Sequence, residues 1–482
     1  MILRFGRDKK ASNSAKNVEK LKNIIEYSIK NNRLNIEFIN DLAAIVDLPK
    51  EIIQKKIKQL VSKDFDFKKF TFKSNNFLIK KFYSNFIFLL KFTFLLLLIK
   101  IFNFKNTKFY TSVLIENIES NQTLNIYKKM ILKKREIFVL KKGFFLLKDE
   151  IVSSKNELLI PFKADLYKNK KIYRLVFKYF LLSIKYKCNF LDLLFGVIYS
   201  YAKNQSKYSY IKSNYLLHNR IYLSCPIRNY LYKELGGKRT ITIQSHIIEN
   251  TISLFSDIDL LLSFGKSSET QRKLIKLGGK LNKVKPIGSL RMEYELGQKK
   301  KFKQINKIDI LILGVNPTIW MDASENIKKN YYIFLDWMIK ISKMYPNLNI
   351  VYKHHETFKG DSKEDKMISK SNIKRIIFGK KKLSSYHYLI RSSLSLSYCS
   401  TMVLEAQGIN KYSFFVDPNN AGTTFFSNLP SLKKLRINKF GILVKYIDNF
   451  FYNKNFNFKM KNNDLICLKN KRVTENILKI LK

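Results

Sequence analysis

Short apolar runs alternate with helix-forming stretches over much of the chain, most regularly between residues 200 and 430. The runs at 258–264, 308–313 and 412–416 have the length and composition of buried strands. Stretches typical of helices, such as 228–235 and 384–392, lie between such runs. Alternation of strands and helices predicts an α/β fold, with a parallel sheet covered by helices on both faces.

One strand end carries residues that suit a phosphate ligand. The apolar run 394–399 leads directly into Ser400 and Thr401, and a helix-forming stretch containing Glu405 follows. The first N–H groups of a helix lack partners within it, so with these two hydroxyls they can bind phosphate. Glu405, one turn further on, can accept hydrogen bonds from sugar hydroxyls. The pattern indicates a nucleotide-sugar site; a Ser-Thr helix cap with a solvated Glu is the alternative.

Two further strand ends would open on the same sheet edge. The run 349–352 predicts a strand that leads into Lys353 and His354, and 376–378 predicts another that ends near Gly379. Doubly wound folds bind ligands at the carboxyl edge of the sheet, where Lys353 and His354 would face a pyrophosphate. Gly314, after the run 308–313, would let a ligand approach the backbone; an ordinary strand-end glycine is the alternative.

This order of elements, with a basic His loop and then Ser-Thr-x-x-x-Glu-Ala, resembles the nucleotide-binding half of GT-B glycosyltransferases. The similarity is greatest to enzymes of bacterial capsule and lipopolysaccharide synthesis, and it covers roughly residues 200–430. It implies two Rossmann-like domains with the donor between them. The donor-binding residues would then be Gly314, Lys353, His354, Ser400, Thr401 and Glu405. Nucleotide-sugar epimerases and polyol-phosphate transferases share this architecture, so they stay open as alternatives.

The first half of the resemblance supplies candidate catalytic groups. Gln244-Ser245-His246 stands where the family often has Gln-His-Gly or Gln-His-Ser, and Gly288 followed by Arg291 matches the motif at the crossing to the second domain. His246 is the candidate base for an inverting transfer, although the inserted Ser245 makes a hydrogen-bonded loop histidine an equal alternative. Arg291 would balance charge on the leaving nucleotide, together with Lys353 and His354.

No metal site is predicted. Asp257 and Asp259 flank the start of a strand without a third carboxylate at a recognisable spacing, so they are expected to be turn residues. P-loop, GxGxxG and zinc signatures are also absent from the sequence. We therefore expect no cofactor besides the nucleotide-sugar substrate, and a metal-independent reaction.

Residues 85–104 are apolar at nearly every position, but Lys91 and Lys100 interrupt them. A lysine near the middle of a membrane-spanning helix costs roughly 2.5–3.5 kcal/mol, which disfavours a span. A helix lying in the membrane interface is predicted instead, because both lysines can then reach lipid phosphates. The alternative is a helix buried in the protein core.

Residues 38–60 resemble a helix-turn-helix, with a second helix started by Pro49. Used as such a motif, this segment would direct Lys50, Gln54, Lys55 and Lys58 into a major groove and make the protein a nucleic-acid-binding regulator. A helical hairpin used for packing is the preferred interpretation.

Length and composition set the remaining expectations. A chain of 482 residues has room for two Rossmann-like domains and an appendage. Its four cysteines are scattered without the spacing of disulfide pairs or CxxC motifs, which indicates a reducing cytoplasm. The net charge of +53 is spread along the chain with abundant Asn, Ile and Phe, as a coding bias would produce, so it does not by itself indicate a nucleic-acid partner. It does favour attraction to anionic lipid, to nucleic acid and to negatively charged glycans.

These observations predict a cytoplasmic enzyme at the inner face of the cell membrane. It would move a sugar from a nucleotide-sugar donor to a polysaccharide or lipid-linked acceptor. A location inside the cell is expected because residues 1–30 are polar and rich in lysine, without the apolar core of a secretory signal. The predicted divisions are a helical extension (1–80), an interfacial helix (81–104), an acceptor domain (105–295), a donor-binding domain (296–445) and a tail with a last helix (446–482).

Overall fold

The computed structural model describes most of the chain between residues 31 and 481. The described segments are 31–63, 109–118, 121–131, 137–142, 149–152, 157–159, 170–186, 190–218, 225–245, 257–265, 279–315, 325–355, 362–376, 383–418, 435–453, 467–468 and 472–481, with residues 23, 26, 27 and 30.

Within the described residues, eight strands form the first sheet, in the order β4-β3-β2-β1-β5-β6-β7-β8. β1, β2 and β5 to β8 run parallel, while β3 and β4 pair antiparallel at one edge. The chain reverses its direction of winding between β1 and β5, because β2 lies on one side of β1 and β5 on the other. The strands are β1 (Phe109–Ile118), β2 (Ile137–Lys142), β3 (Asp149–Val152), β4 (Glu157–Leu159), β5 (Ile211–His218), β6 (Arg239–Ile243), β7 (Asp257–Ser263) and β8 (Lys280–Pro286).

Helices pack against both faces of this sheet, as expected for a doubly wound fold. The helices on one face are α1 (Arg33–Val46), α2 (Lys50–Lys63), α4 (Lys170–Lys185), α5 (Phe190–Tyr210) and α6 (Pro226–Glu234). Those on the other face are α3 (Asn121–Met130), α7 (Leu290–Leu296) and the last helix of the chain, α14 (Val473–Ile480).

The second sheet has six described strands, which are parallel and follow the order β11-β10-β9-β12-β13-β14. Numbered within the domain this is 3-2-1-4-5-6, the order of Rossmann dinucleotide-binding folds. Its strands are β9 (Ile308–Leu313), β10 (Ile350–Lys353), β11 (Lys374–Ile376), β12 (Ser392–Ser397), β13 (Tyr412–Val416) and β14 (Arg436–Ile437). The predicted α/β architecture with two Rossmann-like domains is confirmed.

The helices of the second domain also divide between two faces. One core contains side chains of α9 (Glu325–Met344), α10 (Ser362–Ser369) and α13 (Phe440–Phe451). The core on the other face contains side chains of α7, α11 (Ser385–Arg391) and α12 (Met402–Gln407), and the short helix α8 (Lys299–Phe302) precedes β9. Since α7 follows β8 and also packs here, it joins the two domains.

The C-terminal part of the chain crosses back to the first domain. α13 runs through the predicted boundary at 445 and packs on the second sheet, because Leu443 and Ile447 are fully buried there. α14 instead packs on the first sheet, and the backbone N–H of Thr474 donates to Glu293 on α7 at 2.8 Å. The first domain therefore includes α14 as well as α1 and α2.

The strand β8 begins four residues before the predicted strand at 284–287. Its sequence is rich in lysine, and Lys280 and Lys283 are exposed. β8 is the last of the described strands in its sheet, and its exposed side chains can point into solvent. The sequence therefore predicted only the C-terminal part of β8, where the apolar residues lie.

The helices α1 and α2 form the predicted hairpin, which turns at Asp47 with φ of 48°. They pack into the core of the first domain through Phe38, Leu42 and Ile53. Of the predicted groove-facing side chains, Lys55 binds Asp257 at 2.7 Å and Lys58 binds Glu26 at 2.7 Å. The geometry supports a packing role for this hairpin.

The apolar segment 85–104 lies outside the described residues, so its predicted interfacial position stays a prediction. Within the described segments, no helix combines the length and the apolar character that a membrane span requires.

Candidate functional site

The crevice of the second sheet opens where the strand order reverses, between β9 and β12. Leu313, the last residue of β9, is in register with Ser397, the last residue of β12, and with Lys353, the last residue of β10. Register partners on parallel strands project from the same face, so these three side chains lie on one side of the sheet. Gly314 follows β9, and Ser400 and Thr401 follow β12, at the edge where doubly wound folds bind ligands.

Ser400 and Thr401 form a half-buried corner at this crevice. The Ser400 hydroxyl accepts a hydrogen bond from the backbone N–H of Met402 at 3.3 Å, while Thr401 makes no side-chain cap bond to α12. α12 has only six residues, so its dipole contributes less than the sequence pattern suggested. The two hydroxyls, rather than a long helix, are the groups that this corner offers to an anion.

Gly314 lies against the neighbouring strand. Its N–H donates to the Lys353 carbonyl at 2.9 Å, and a Cβ atom at this position would lie 2.7 Å from the Tyr352 hydroxyl. That hydroxyl in turn donates to Glu364 at 2.7 Å. Close packing of β9 on β10 therefore explains why a glycine stands at this position, without any contact to a ligand. This agrees with the alternative interpretation, an ordinary glycine at a strand end.

We expect Gly314→Ala to lower the free energy of unfolding by about 1–3 kcal/mol, because the new methyl group must displace the Tyr352 hydroxyl from Glu364. Urea unfolding measures the change. Gly441→Ala is the matched control, since a Cβ there meets nothing within 4 Å. Equal stability of the two variants would show that the packing at Gly314 is unimportant.

Lys353 and His354 are both buried. Lys353 donates to the carbonyl of His354 at 2.9 Å. The His354 ring lies 2.8 Å from Glu364 and 3.5 Å from Asp365, both on α10. The structure thus places Lys353 at the predicted edge, but it directs the His354 ring to two carboxylates rather than to the crevice.

His355 is the more accessible histidine of this loop, being half-buried. Burial, with a contribution from the charge of Lys353, lowers the pKa of His355 to about 4. The ring is therefore neutral near pH 7 and can serve as a neutral hydrogen-bonding group at the strand end.

Glu405 is buried and bonded across the domain junction. Its two carboxylate oxygens accept hydrogen bonds from Ser289 at 2.5 Å and Tyr386 at 2.7 Å. Ser289 caps α7 at the end of the first domain, where its hydroxyl also accepts from the N–H of Met292 at 3.1 Å. Burial raises the pKa of Glu405 to about 7. We predicted from the sequence that this carboxylate binds sugar hydroxyls, but in the structure it accepts hydrogen bonds from two hydroxyls of the protein.

Arg291 belongs to the same junction. Its guanidinium binds Glu295 at 2.6 Å and lies 5.2 Å from the ring centre of Tyr386. Glu295 also lies 2.9 Å from His387 on α11, and its pKa is lowered, because the bond to His387 and the charge of Arg291 outweigh burial. Residues of α7 and α11 thus form a polar network between the domains.

The predicted base, His246, lies outside the described residues. The residues just before it are described: the N–H of Phe264 donates to the Gln244 side chain at 2.8 Å, and Ser245 is half-buried. These contacts place the start of the loop at the carboxyl edge of β6. The role of His246 stays a prediction.

A buried ionic cluster in the first domain was not predicted from the sequence. Glu116, near the end of β1, binds Lys207 at 2.8 Å and Arg228 at 3.3 Å. His218, its register partner on β5, lies 3.3 Å from Arg228. Burial and the charge of Arg228 lower the pKa of His218 well below its usual value, so the imidazole is neutral. The cluster fixes α5 and α6 on the sheet at the β1/β5 reversal.

Among the described residues, no group of three His, Cys, Asp or Glu side chains is placed to hold a metal ion. Asp257 and Asp259 have protein partners: Lys55 binds the first, while Lys233 and the hydroxyl and N–H of Thr240 bind the second. The sequence predicted turn residues, and this prediction is wrong, because both aspartates lie within strand β7.

Comparisons with known proteins give remote similarities. No protein-family model matches the chain, and no curated protein matches its sequence. Among solved structures, UDP-GlcNAc 2-epimerase from Neisseria meningitidis bound to UDP-GlcNAc is 12% identical, with a TM-score of 0.45 over 77% of this chain and 99% of that one. A Methanocaldococcus jannaschii UDP-GlcNAc 2-epimerase in complex with UDP-GlcNAc and UDP is 12% identical, with a TM-score of 0.41 over 77% and 99%.

A third similar structure is a co-structure of S. aureus MnaA with UDP, which is 11% identical, with a TM-score of 0.45 over 76% of this chain and 95% of that one. Similarities at this level assign no activity to the chain.

Proposed function

We propose that this protein is an enzyme that binds a nucleotide sugar in the crevice between β9 and β12 and acts on its sugar. The strand order of the second sheet carries the proposal, because a 3-2-1-4-5-6 sheet creates its crevice at these two strands. The half-buried hydroxyls of Ser400 and Thr401 lie at this crevice and can donate to a diphosphate.

The domain junction supports the same location. Ser289 ends the last loop of the first sheet and bonds to Glu405 on α12, the helix that begins just after Thr401. This hydrogen bond between Ser289 and Glu405 keeps the carboxyl edge of the first sheet close to α12, the helix that follows β12. A sugar attached to a diphosphate at Thr401 would therefore lie near groups of the first domain, as a two-domain enzyme requires.

Glu405 has a different role in this proposal from the one in the sequence analysis. Its oxygens are bonded to Ser289 and Tyr386, so it would hold the junction together rather than bind the ribose. Gly314 would permit close strand packing. Lys353 remains a donor-side candidate, since it ends β10 on the same face as Leu313 and Ser397.

Two reactions are compatible with such a complex. Transfer of the sugar to a polysaccharide or lipid-linked acceptor is the reaction predicted from the sequence motifs. Epimerisation of the nucleotide sugar is the alternative, and two of the similar structures are UDP-GlcNAc 2-epimerases. UDP-GlcNAc, which both structures contain, is a suitable first substrate for testing the two reactions.

The reaction products distinguish these possibilities. The protein would be incubated with UDP-, CDP- and GDP-sugars, with and without a bacterial lipid extract as acceptor, and the products separated by anion exchange and examined by NMR. An epimerase yields a new nucleotide sugar of unchanged mass without acceptor, whereas a transferase releases nucleotide when acceptor is present. Absence of both products and of nucleotide binding would refute the proposed function.

A further inference from the structure

Helix α4 carries a stripe of large apolar side chains that are exposed to solvent. Its members are spaced by four, four and three residues, so they lie on one side of the helix. The exposed fractions are 49% for Tyr173, 64% for Phe177, 49% for Leu181 and 38% for Ile184. Large apolar side chains in a continuous exposed stripe indicate an interaction surface, whereas singly exposed ones are ordinary.

The stripe is separate from the face by which α4 packs on its domain. Ile172, Val176 and Tyr179 are buried in the core of the first domain, about a third of a turn away from the exposed stripe at roughly 100° per residue. Packing on the domain therefore accounts for the first set, whereas the side chains of the second set are largely exposed to solvent.

A basic stripe runs beside the apolar one. Lys171, Arg174, Lys178 and Lys185 lie on the adjoining side of the helix by the same angular spacing, and α4 contains no acidic residue. Lys178 is balanced by Glu37 and Asp41 of α1, at 2.5 and 2.7 Å. Lys171, Arg174 and Lys185 are exposed, so they add positive charge to the rim of the apolar stripe.

We propose that this face of α4 is a docking surface for an anionic lipid membrane. Tyr173, Phe177, Leu181 and Ile184 would enter the acyl boundary, while the adjoining cations bind lipid phosphates. Helices with a basic stripe next to an apolar one bind membrane interfaces in this way, and the net charge of +53 gives the whole protein a long-range attraction to such a surface. Charge complementarity favours lipid over a second copy of this equally basic chain.

The inference concerns residues other than the predicted interfacial segment 85–104, and it does not depend on the proposed nucleotide site. It gives the first domain a defined orientation on the membrane. A lipid-linked substrate would then be presented to the domain that carries α4.

Vesicle sedimentation of the full chain tests the proposal. The protein should bind vesicles of phosphatidylcholine mixed with phosphatidylglycerol more tightly than pure phosphatidylcholine vesicles. The double variant Phe177→Glu/Leu181→Glu should lose about tenfold or more of this affinity, because charged groups replace the most central inserted side chains. The control Ile442→Glu/Tyr452→Glu changes an exposed apolar residue of α13 and the exposed tyrosine that follows this helix, and it should bind as wild type does.

A second measurement does not depend on a disruptive substitution. Phe177→Trp should gain tryptophan fluorescence that brominated lipids quench, beyond the quenching of the wild-type protein. Unchanged vesicle affinity of the double variant, failure of wild type to bind anionic vesicles, or no added quenching would overturn the proposal. So would a wild-type dimer in solution that the double variant dissociates, because the occupant of the face would then be a second copy of the chain.

Discussion

Glu116→Gln should lower the free energy of unfolding by about 3–5 kcal/mol, the cost of leaving buried charges without their counter-ion. Glu116 is almost fully buried and neutralises both Lys207 and Arg228, and the Tyr208 hydroxyl donates to it at 2.9 Å. The glutamine side chain keeps the volume but leaves two cations in the interior. Chemical denaturation at neutral pH measures the loss.

The pH dependence of this difference has a defined sign. The charges of Lys207 and Arg228 outweigh burial and hold the pKa of Glu116 at about 2, below its ordinary value of 4.5. The stabilisation is therefore fully present above pH 4.5 and is lost as the pH falls towards 2. Wild type and variant should converge in acid.

Glu37→Gln is the matched control for Glu116→Gln. Glu37 binds Lys178 at 2.5 Å, but both side chains are well exposed, so its removal should cost no more than about 1 kcal/mol. Equal losses in the two variants would contradict the role assigned to burial.

Glu405→Gln should change the pH dependence of stability rather than only its magnitude. Burial raises the pKa of Glu405 from 4.5 to about 7. The folded protein then holds a proton that the unfolded chain releases, so stability from this group is present below pH 4.5 and is lost as the pH rises through 7. Relative to the variant, wild type should lose up to about 3 kcal/mol over this range.

The groups around Glu405 act in opposite directions on its pKa. The hydroxyls of Ser289 and Tyr386 and the charge of Arg291 favour the ionised form, while Glu295 opposes it. Thermal unfolding from pH 5 to 8 measures the result, with Glu475→Gln on the exposed part of α14 as the control. Parallel pH profiles for wild type and Glu405→Gln would contradict a buried, titrating carboxylate at the junction.

Elements with strong local signals were predicted well from the sequence. β9 and β13 are almost wholly apolar because both are covered on two faces, so their bounds follow from the pattern. The start of β8 was missed because an edge strand can carry exposed lysines. The hydrophobic pattern identifies buried strands and says little about strands at a sheet edge.

The side-chain partners of the candidate site could not be predicted in the same way. Ser289 and Glu405 are 116 residues apart, and Lys207 and Glu116 are 91 apart, so no local spacing relates them. The motif around Ser400 correctly located a corner at the sheet edge. It could not show that Glu405 turns towards the domain junction, because that depends on where Ser289 and Tyr386 lie.

Isothermal titration calorimetry of the wild-type protein and Ser400→Ala/Thr401→Val with UDP and UDP-sugars tests the nucleotide site most directly. Wild type should bind one nucleotide, and the double variant should bind it about tenfold or more weakly, since it loses two donors to a charged group. Ser369→Ala, an exposed serine on α10, should bind as wild type does. The absence of nucleotide binding by folded wild type, or equal affinity in the double variant, would contradict the site between β9 and β12.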